Sequence, residues 1–65
     1  MPPAEVRHLA ESTAHLARAL HRKDEGYLGA ARDRLEQAVL AAEAQAPAAA
    51  GLARRLLDAL ANIGI

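Results

Sequence analysis

The chain has 65 residues, of which eight are basic and eight acidic, and it contains no cysteine. Nucleic-acid-binding surfaces are usually basic, so this balance argues against a nucleic-acid partner. No apolar run approaches the roughly 20 residues that span a bilayer, which argues against a membrane protein. The N-terminus lacks the basic and apolar parts of a signal peptide, so we expect a single cytoplasmic domain over residues 1–65.

The apolar residues are mostly alanine and leucine, and the leucines recur three and four positions apart, a spacing that predicts helices. A domain of this size buries only about 60% of its unfolded surface. Alanine favours helix but fills little volume, and no disulfide can compensate for a thin core. We therefore expect the chain to form a homo-oligomer or to dock on a helical partner protein.

Pro2 and Pro3 precede the first predicted helix, which covers residues 4–22. A heptad-like seam gives it a core face: Val6, Leu9, Thr13, Leu16 and Leu20. We expect Thr13 to be a buried polar residue that sets the register of packing. The opposite face, from His8 to Arg22, carries charged and imidazole side chains and is predicted to face water.

Asp24 is a suitable N-cap for a second helix over residues 25–46. Pro47 ends that helix and can serve as the first residue of the third. The expected core face of this helix again follows a spacing of three and four: Leu28, Ala31, Leu35, Ala38 or Val39, and Ala42. A third helix is predicted over residues 48–63. Because the connections are short, the predicted fold is all-α, a three-helix up-down-up antiparallel bundle.

Leu40 does not fit the core face of the second helix, and the apolar residues of the third helix span about 200° of its circumference. A groove between two helices covers a narrower arc, so we expect the third helix to contact more than one neighbour. Leu56 and Ile63 are expected to face the helical hairpin, and Leu57 is expected to face away from it. The predicted interface residues are Leu40, Leu52, Leu56, Leu57, Leu60 and Ile63.

His8, Glu11 and His15 share one helical face and have the side-chain chemistry of metal ligands. Their spacing matches neither the zinc-protease pair nor the di-iron bundle motif. We favour a solvated face with a Glu11–His15 pair, and we expect no metal and no cofactor. The sequence offers no combination of a nucleophile, a general base and a residue that orients the base, so the protein is not expected to be an enzyme.

Basic residues concentrate at the turn between the first two helices, where the N-terminus of the second helix would itself favour an anion. The favoured interpretation is an ordinary salt-bridged surface, since acidic residues intervene, with the Tyr27 hydroxyl in solvent. The alternative is a site for a small anionic ligand where four side chains converge: Arg18, Arg22, Tyr27 and Arg32.

Residues 24–41 resemble the second helix of small phage anti-CBASS proteins that sequester cyclic nucleotides. The matching positions are Asp24, Tyr27, Leu28, Leu35, Gln37, Ala38, Val39, Leu40 and Ala41. Glu36 stands where that family tends to have glutamine. The resemblance implies a helical oligomer with ligand bound at subunit interfaces.

The expected function is a small helical protein–protein interaction module, acting as an adaptor, inhibitor or assembly factor in a homo-oligomer. The alternative is a phage-type cyclic-nucleotide sponge with its anion site near the turn between the first two helices.

Overall fold

The computed structural model describes residues 3–64 and places them in three helices: α1 (Ala4–Arg22), α2 (Glu25–Ala42) and α3 (Pro47–Asn62). No strand occurs within these residues. Connections of two and four residues turn the chain back on itself, so that consecutive helices are antiparallel. The predicted all-α three-helix bundle is therefore confirmed. Between residues 3 and 64, no helix is long and apolar enough to cross a membrane.

The turn between α1 and α2 combines a left-handed residue with a side-chain cap. Lys23 has φ 58° and ψ 35°, and its amide donates to the carbonyl oxygen of Ala19 at 3.2 Å. Asp24 then accepts a hydrogen bond from the Tyr27 amide at 3.1 Å, as expected for an N-cap. This geometry ends one helix and begins the next within two residues.

The predicted end of α2 at residue 46 is wrong, because the helix ends at Ala42. The amides of Gln45 and Ala46 both donate to the Ala42 carbonyl oxygen, which closes a turn after the helix. Proline disfavours helical backbone in the residue before it, and Ala46 has φ −144° and ψ 70°. Pro47 is the first residue of α3, as its position favours, and the helix ends at Asn62.

The core lies mainly along α2, which packs against both other helices, whereas α1 and α3 contact each other least. The buried face of α2 is the predicted one, although Leu28 is only half-buried. Alanines make up half of the buried apolar residues in the described chain: Leu9, Leu16, Ala19, Ala31, Leu35, Ala38, Val39, Ala42, Ala50, Ala53, Leu57 and Leu60.

The buried residues of α1 are Leu9, Ser12, Leu16 and Ala19, whereas Val6 and Leu20 of the predicted seam are half-buried. Ser12, three residues after Leu9 and four before Leu16, is buried, whereas Thr13 is half-buried. The Thr13 hydroxyl donates to the carbonyl oxygen of Leu9 at 2.9 Å, so the helix satisfies it locally. The expectation that Thr13 is the buried polar residue is therefore wrong.

The rotation of α3 also differs from the prediction. Leu57 was expected to face away from the hairpin, but only 8% of it is exposed, and Leu60 is buried with it. Ile63 is exposed and Leu56 is half-buried. Ala50 and Ala53 precede Leu57 by seven and four residues and are also buried. All three therefore lie on the same buried face of α3. Leu57 and Leu60 therefore belong to the core of a single chain.

Candidate functional site

Tyr27 lies in the first turn of α2 and contacts two side chains of α1. Its hydroxyl is 2.8 Å from Nε2 of His15, and the two rings stack with centroids 5.1 Å apart. The guanidinium carbon of Arg22 lies 5.4 Å from the centroid of the tyrosine ring, within cation–π distance. The sequence did not predict this contact of the Tyr27 hydroxyl with His15.

Beside this cluster, a groove of about 670 Å³ runs between α1 and α2. We call it the α1–α2 groove, and eight residues line it: His8, Glu11, Ser12, Ala14, His15, Arg18, Arg34 and Gln37. Side chains of α1 form one wall, and Arg34 and Gln37 of α2 form the other. The helical repeat explains the first wall, since His8, Glu11, His15 and Arg18 recur every three or four residues.

The charged side chains of the α1–α2 groove have no protein counter-ion in the described chain. Within residues 3–64, the one ion pair joins Arg54 Nη2 and Glu43 Oε1 at 2.9 Å, outside the groove. Two guanidinium groups, from Arg18 and Arg34, therefore stand against the single carboxylate of Glu11. The described lining of the groove therefore carries one more positive side chain than negative ones, counting Arg18 and Arg34 against Glu11.

Ser12 is the buried polar residue of this groove. Only 2% of it is exposed, and its Oγ has no hydrogen-bond partner. A buried hydroxyl without a partner costs about 1–3 kcal/mol. Most buried polar groups in folded proteins are hydrogen-bonded, so such a group calls for an explanation.

The four residues predicted to bind an anion do not all converge. Arg22 meets Tyr27, and Arg18 lies in the α1–α2 groove beside His15. Arg32 lines a separate cavity of about 540 Å³, which shares no residue with the α1–α2 groove. The reason is that Arg32 follows the buried Ala31 and Arg34 precedes the buried Leu35, so the two arginines flank the core face of α2 on opposite sides.

The expected pair between Glu11 and His15 is absent from the described contacts, because His15 binds Tyr27 instead. This interaction also makes His15 half-buried rather than fully solvated. No group of three or more histidine or acidic side chains that could hold a metal occurs within residues 3–64.

The predicted interface leucines divide among three environments. Leu57 and Leu60 are buried, as described above. Leu40 is 59% exposed and borders α3 near Glu36 and Arg54. Leu52, 66% exposed, and the half-buried Leu56 line a groove of about 520 Å³ between α1 and α3.

The complete lining of this second groove, which we call the α1–α3 groove, contains no charged residue: Val6, Leu9, Ala10, Thr13, Ala14, Ala17, Ala49, Leu52, Ala53 and Leu56. Its one polar side chain, Thr13, already donates to the Leu9 carbonyl oxygen. The groove lies where the bundle is least closed, since α1 and α3 make few contacts. It is therefore an apolar surface without a protein partner inside the described chain.

Of the eight residues that line the α1–α2 groove, only Arg18 belongs to the predicted anion site, and Ser12, Arg34 and Gln37 are among the seven that do not. A usable signal existed for Ser12, because its spacing from Leu9 and Leu16 is as regular as that of the predicted seam. The positions of Arg34 and Gln37 beside the core face of α2 could be predicted, because Arg34 precedes the buried Leu35 and Gln37 precedes the buried Ala38. Pairing them with His8 and Glu11 requires the register of the two helices, which no local pattern supplies.

Comparison with known proteins gave one match. No curated protein and no solved structure matched the chain. The family model described as "Domain of unknown function (DUF4404)" matches residues 1–65. Because that match covers the whole sequence, the chain belongs to the DUF4404 family.

Proposed function

We propose that the protein is a helical interaction module that assembles with copies of itself through the α1–α3 groove. The observation that carries this proposal is the groove's uncharged lining, with Leu52 mostly exposed at its side. Burying an apolar side chain of this size contributes about 1.5–3 kcal/mol. A partner that covers the groove would gain that contribution without having to desolvate a charge.

A second copy of the chain fits this surface because the surface contains both a projection and a depression. Leu52 projects from α3, while Ala10, Ala14 and Ala17 give α1 a shallow face. In a two-fold interface the same patch must complement itself, so Leu52 of each copy would lie against the alanines of the other. A standard interface takes about 800 Å² from each partner, just under a fifth of this chain's 4455 Å².

The thin core supports the same proposal. Half of the buried apolar residues between positions 3 and 64 are alanines, which contribute little burial each. Domains of this size usually need a disulfide, a metal or an oligomeric contact in addition to their core. The chain has no cysteine, and covering the α1–α3 groove would add apolar burial.

The test compares Leu52→Glu with Leu40→Glu, a matched change of an exposed leucine outside the groove. Light scattering and sedimentation velocity should show a wild-type oligomer at micromolar concentration. Leu52→Glu should weaken association by about a hundredfold or more, because an unpaired buried charge costs several kcal/mol. Leu40→Glu should assemble as the wild type does, and circular dichroism should show helix in both variants.

A wild-type monomer whose mass is independent of concentration would overturn the proposal. So would a Leu52→Glu variant that keeps its full size. Dissociation caused by Leu40→Glu instead would move the interface to the α2–α3 side. A cyclic-nucleotide sponge, the lack of catalysis and the cytoplasmic location remain predictions from the sequence.

A further inference from the structure

We propose that the α1–α2 groove is a binding site for a phosphomonoester whose organic part carries hydroxyl groups, as in a sugar phosphate. This groove shares only Ala14 with the α1–α3 groove that carries the proposed assembly, and its charged and hydroxyl side chains lie outside that second groove. It uses side chains of one copy of the chain only.

The charge of the groove favours a dianion. Arg18 and Arg34 approach it from different helices, and neither forms an ion pair with a residue between 3 and 64. Guanidinium groups bind phosphate oxygens through paired hydrogen bonds, which are stronger than those between neutral groups. A phosphate held between Arg18 and Arg34 would supply the counter-charge that the described residues do not.

Ser12 gives independent support, because its buried hydroxyl lacks a partner in the same groove. A core position would accept alanine at no such cost, and α1 has alanine at the equivalent buried position Ala19. A phosphate oxygen is a strong acceptor for a serine O–H. The hydroxyl is therefore explained if the occupied groove brings an acceptor to it.

The pairing of Tyr27 with His15 positions a further donor. When the Tyr27 hydroxyl donates to Nε2 of His15, the ring proton resides on Nδ1. In that tautomer Nδ1–H is the ring donor that remains for a ligand, and His15 is one of the residues that line the groove. Stacking on the tyrosine restricts the imidazole, which reduces the entropy cost of using it.

Glu11 and Gln37 account for the hydroxyl-bearing part of the ligand. A carboxylate repels phosphate but accepts hydrogen bonds from hydroxyl groups, and the Gln37 amide both donates and accepts. The volume of about 670 Å³ exceeds what a bare phosphate needs and falls within the range of about 300–1,000 Å³ seen for small-molecule sites.

The experiment is an NMR titration with ribose 5-phosphate, inorganic phosphate and ribose at matched ionic strength. Tyr27 is the single Phe, Tyr or Trp residue, so its ring resonances report directly on the neighbouring His15. Ribose 5-phosphate should shift them saturably and bind more tightly than either fragment. Arg34→Gln should weaken binding about tenfold or more, whereas Arg55→Gln, an exposed arginine on α3, should leave it unchanged.

Ser12→Ala separates ligand binding from structure. Without ligand, this variant should melt at or above the wild-type temperature, because it removes an unpartnered buried hydroxyl. It should nevertheless bind ribose 5-phosphate several-fold more weakly. A variant with unchanged affinity would contradict the role given to Ser12.

The proposal is overturned if ribose 5-phosphate gives no saturable shift up to about 10 mM, where a site with Kd of about 1 mM would be mostly filled. Equal affinity for inorganic phosphate would overturn the role of the hydroxyl groups, and equal affinity for ribose the role of the phosphate. Equal loss in Arg34→Gln and Arg55→Gln would show non-specific attraction. The titration is repeated with the Leu52→Glu variant, which should not assemble. Ribose 5-phosphate should still bind to this variant, so the test of the ligand site does not depend on assembly.

Discussion

Tyr27 and His15 lie twelve residues apart in the sequence, and their rings stack while the hydroxyl and Nε2 share a hydrogen bond of 2.8 Å. One residue begins α2 and the other lies in the middle of α1. The pair therefore fixes the relative position of the two helices close to the turn that joins them. It also couples the aromatic residue to the groove in which His15 lies.

Tyr27→Phe should lower the free energy of unfolding by about 1 kcal/mol, because it removes one partly buried hydrogen bond while keeping the stacked ring. Thermal denaturation of the variant measures this loss. His15→Gln in the same background should then cost less than it does in the wild type, since the bond is already gone. Full additivity of the two changes would contradict an energetic link between them.

Leu57→Ala should destabilise the protein by about 2–5 kcal/mol, the usual cost of a cavity at a buried leucine. Leu40→Ala is the matched control, because Leu40 is mostly exposed and surface changes usually alter stability by about 0.5 kcal/mol or less. Urea denaturation at fixed protein concentration compares the two. Similar losses would show that α3 is rotated differently in solution.

Asp24→Ala should cost about 1 kcal/mol of stability, because the Asp24 carboxylate caps α2 through the Tyr27 amide. Asp33→Ala, an exposed change inside the same helix, should be neutral or slightly stabilising, since alanine is the better helix former. Thermal melts of both variants provide the comparison. An equal effect would mean that charge rather than capping matters.

Gly29→Ala and Gly51→Ala should each stabilise the protein by about 0.5–1 kcal/mol. Both glycines lie inside helices, and a Cβ at either position would meet nothing within 4 Å. Gly64→Ala, where φ is +79°, should give no gain because alanine is strained in that conformation. The unfolding midpoints of the three variants test this order.

Local chemistry predicted most of the fold. Asp24 and Pro47 mark helix starts that the structure confirms, and the alternation of alanine with Leu35 identified the core face of α2. The end of α2 was misjudged because Pro47 acts on the residue before it. The turn after Ala42 depends on backbone hydrogen bonds from Gln45 and Ala46 to the Ala42 carbonyl oxygen, and no side-chain pattern in the sequence indicates these bonds.

The rotation of α3 and the contents of the candidate site were less predictable, for one shared reason. When apolar residues cover as wide an arc as they do on α3, several faces satisfy the same spacing, and only contact with α2 selects Leu57 over Ile63. Likewise, Thr13 and Ser12 are neighbours with similar chemistry, and the choice between them depends on the rotation of α1 against α2. The same rotation decides which side chains of α1 and α2 line the groove between these helices.

Since α3 contacts α2 far more than α1, the first two helices form a hairpin to which α3 is added along one side. Packing between α1 and α2 is also more extensive than packing between α2 and α3. Amide hydrogens of α3 should therefore exchange with solvent through partial openings that leave α1 and α2 protected. Covering the α1–α3 groove would slow exchange in α3, whereas occupying the α1–α2 groove would slow it in the hairpin, so one exchange map distinguishes which groove is filled.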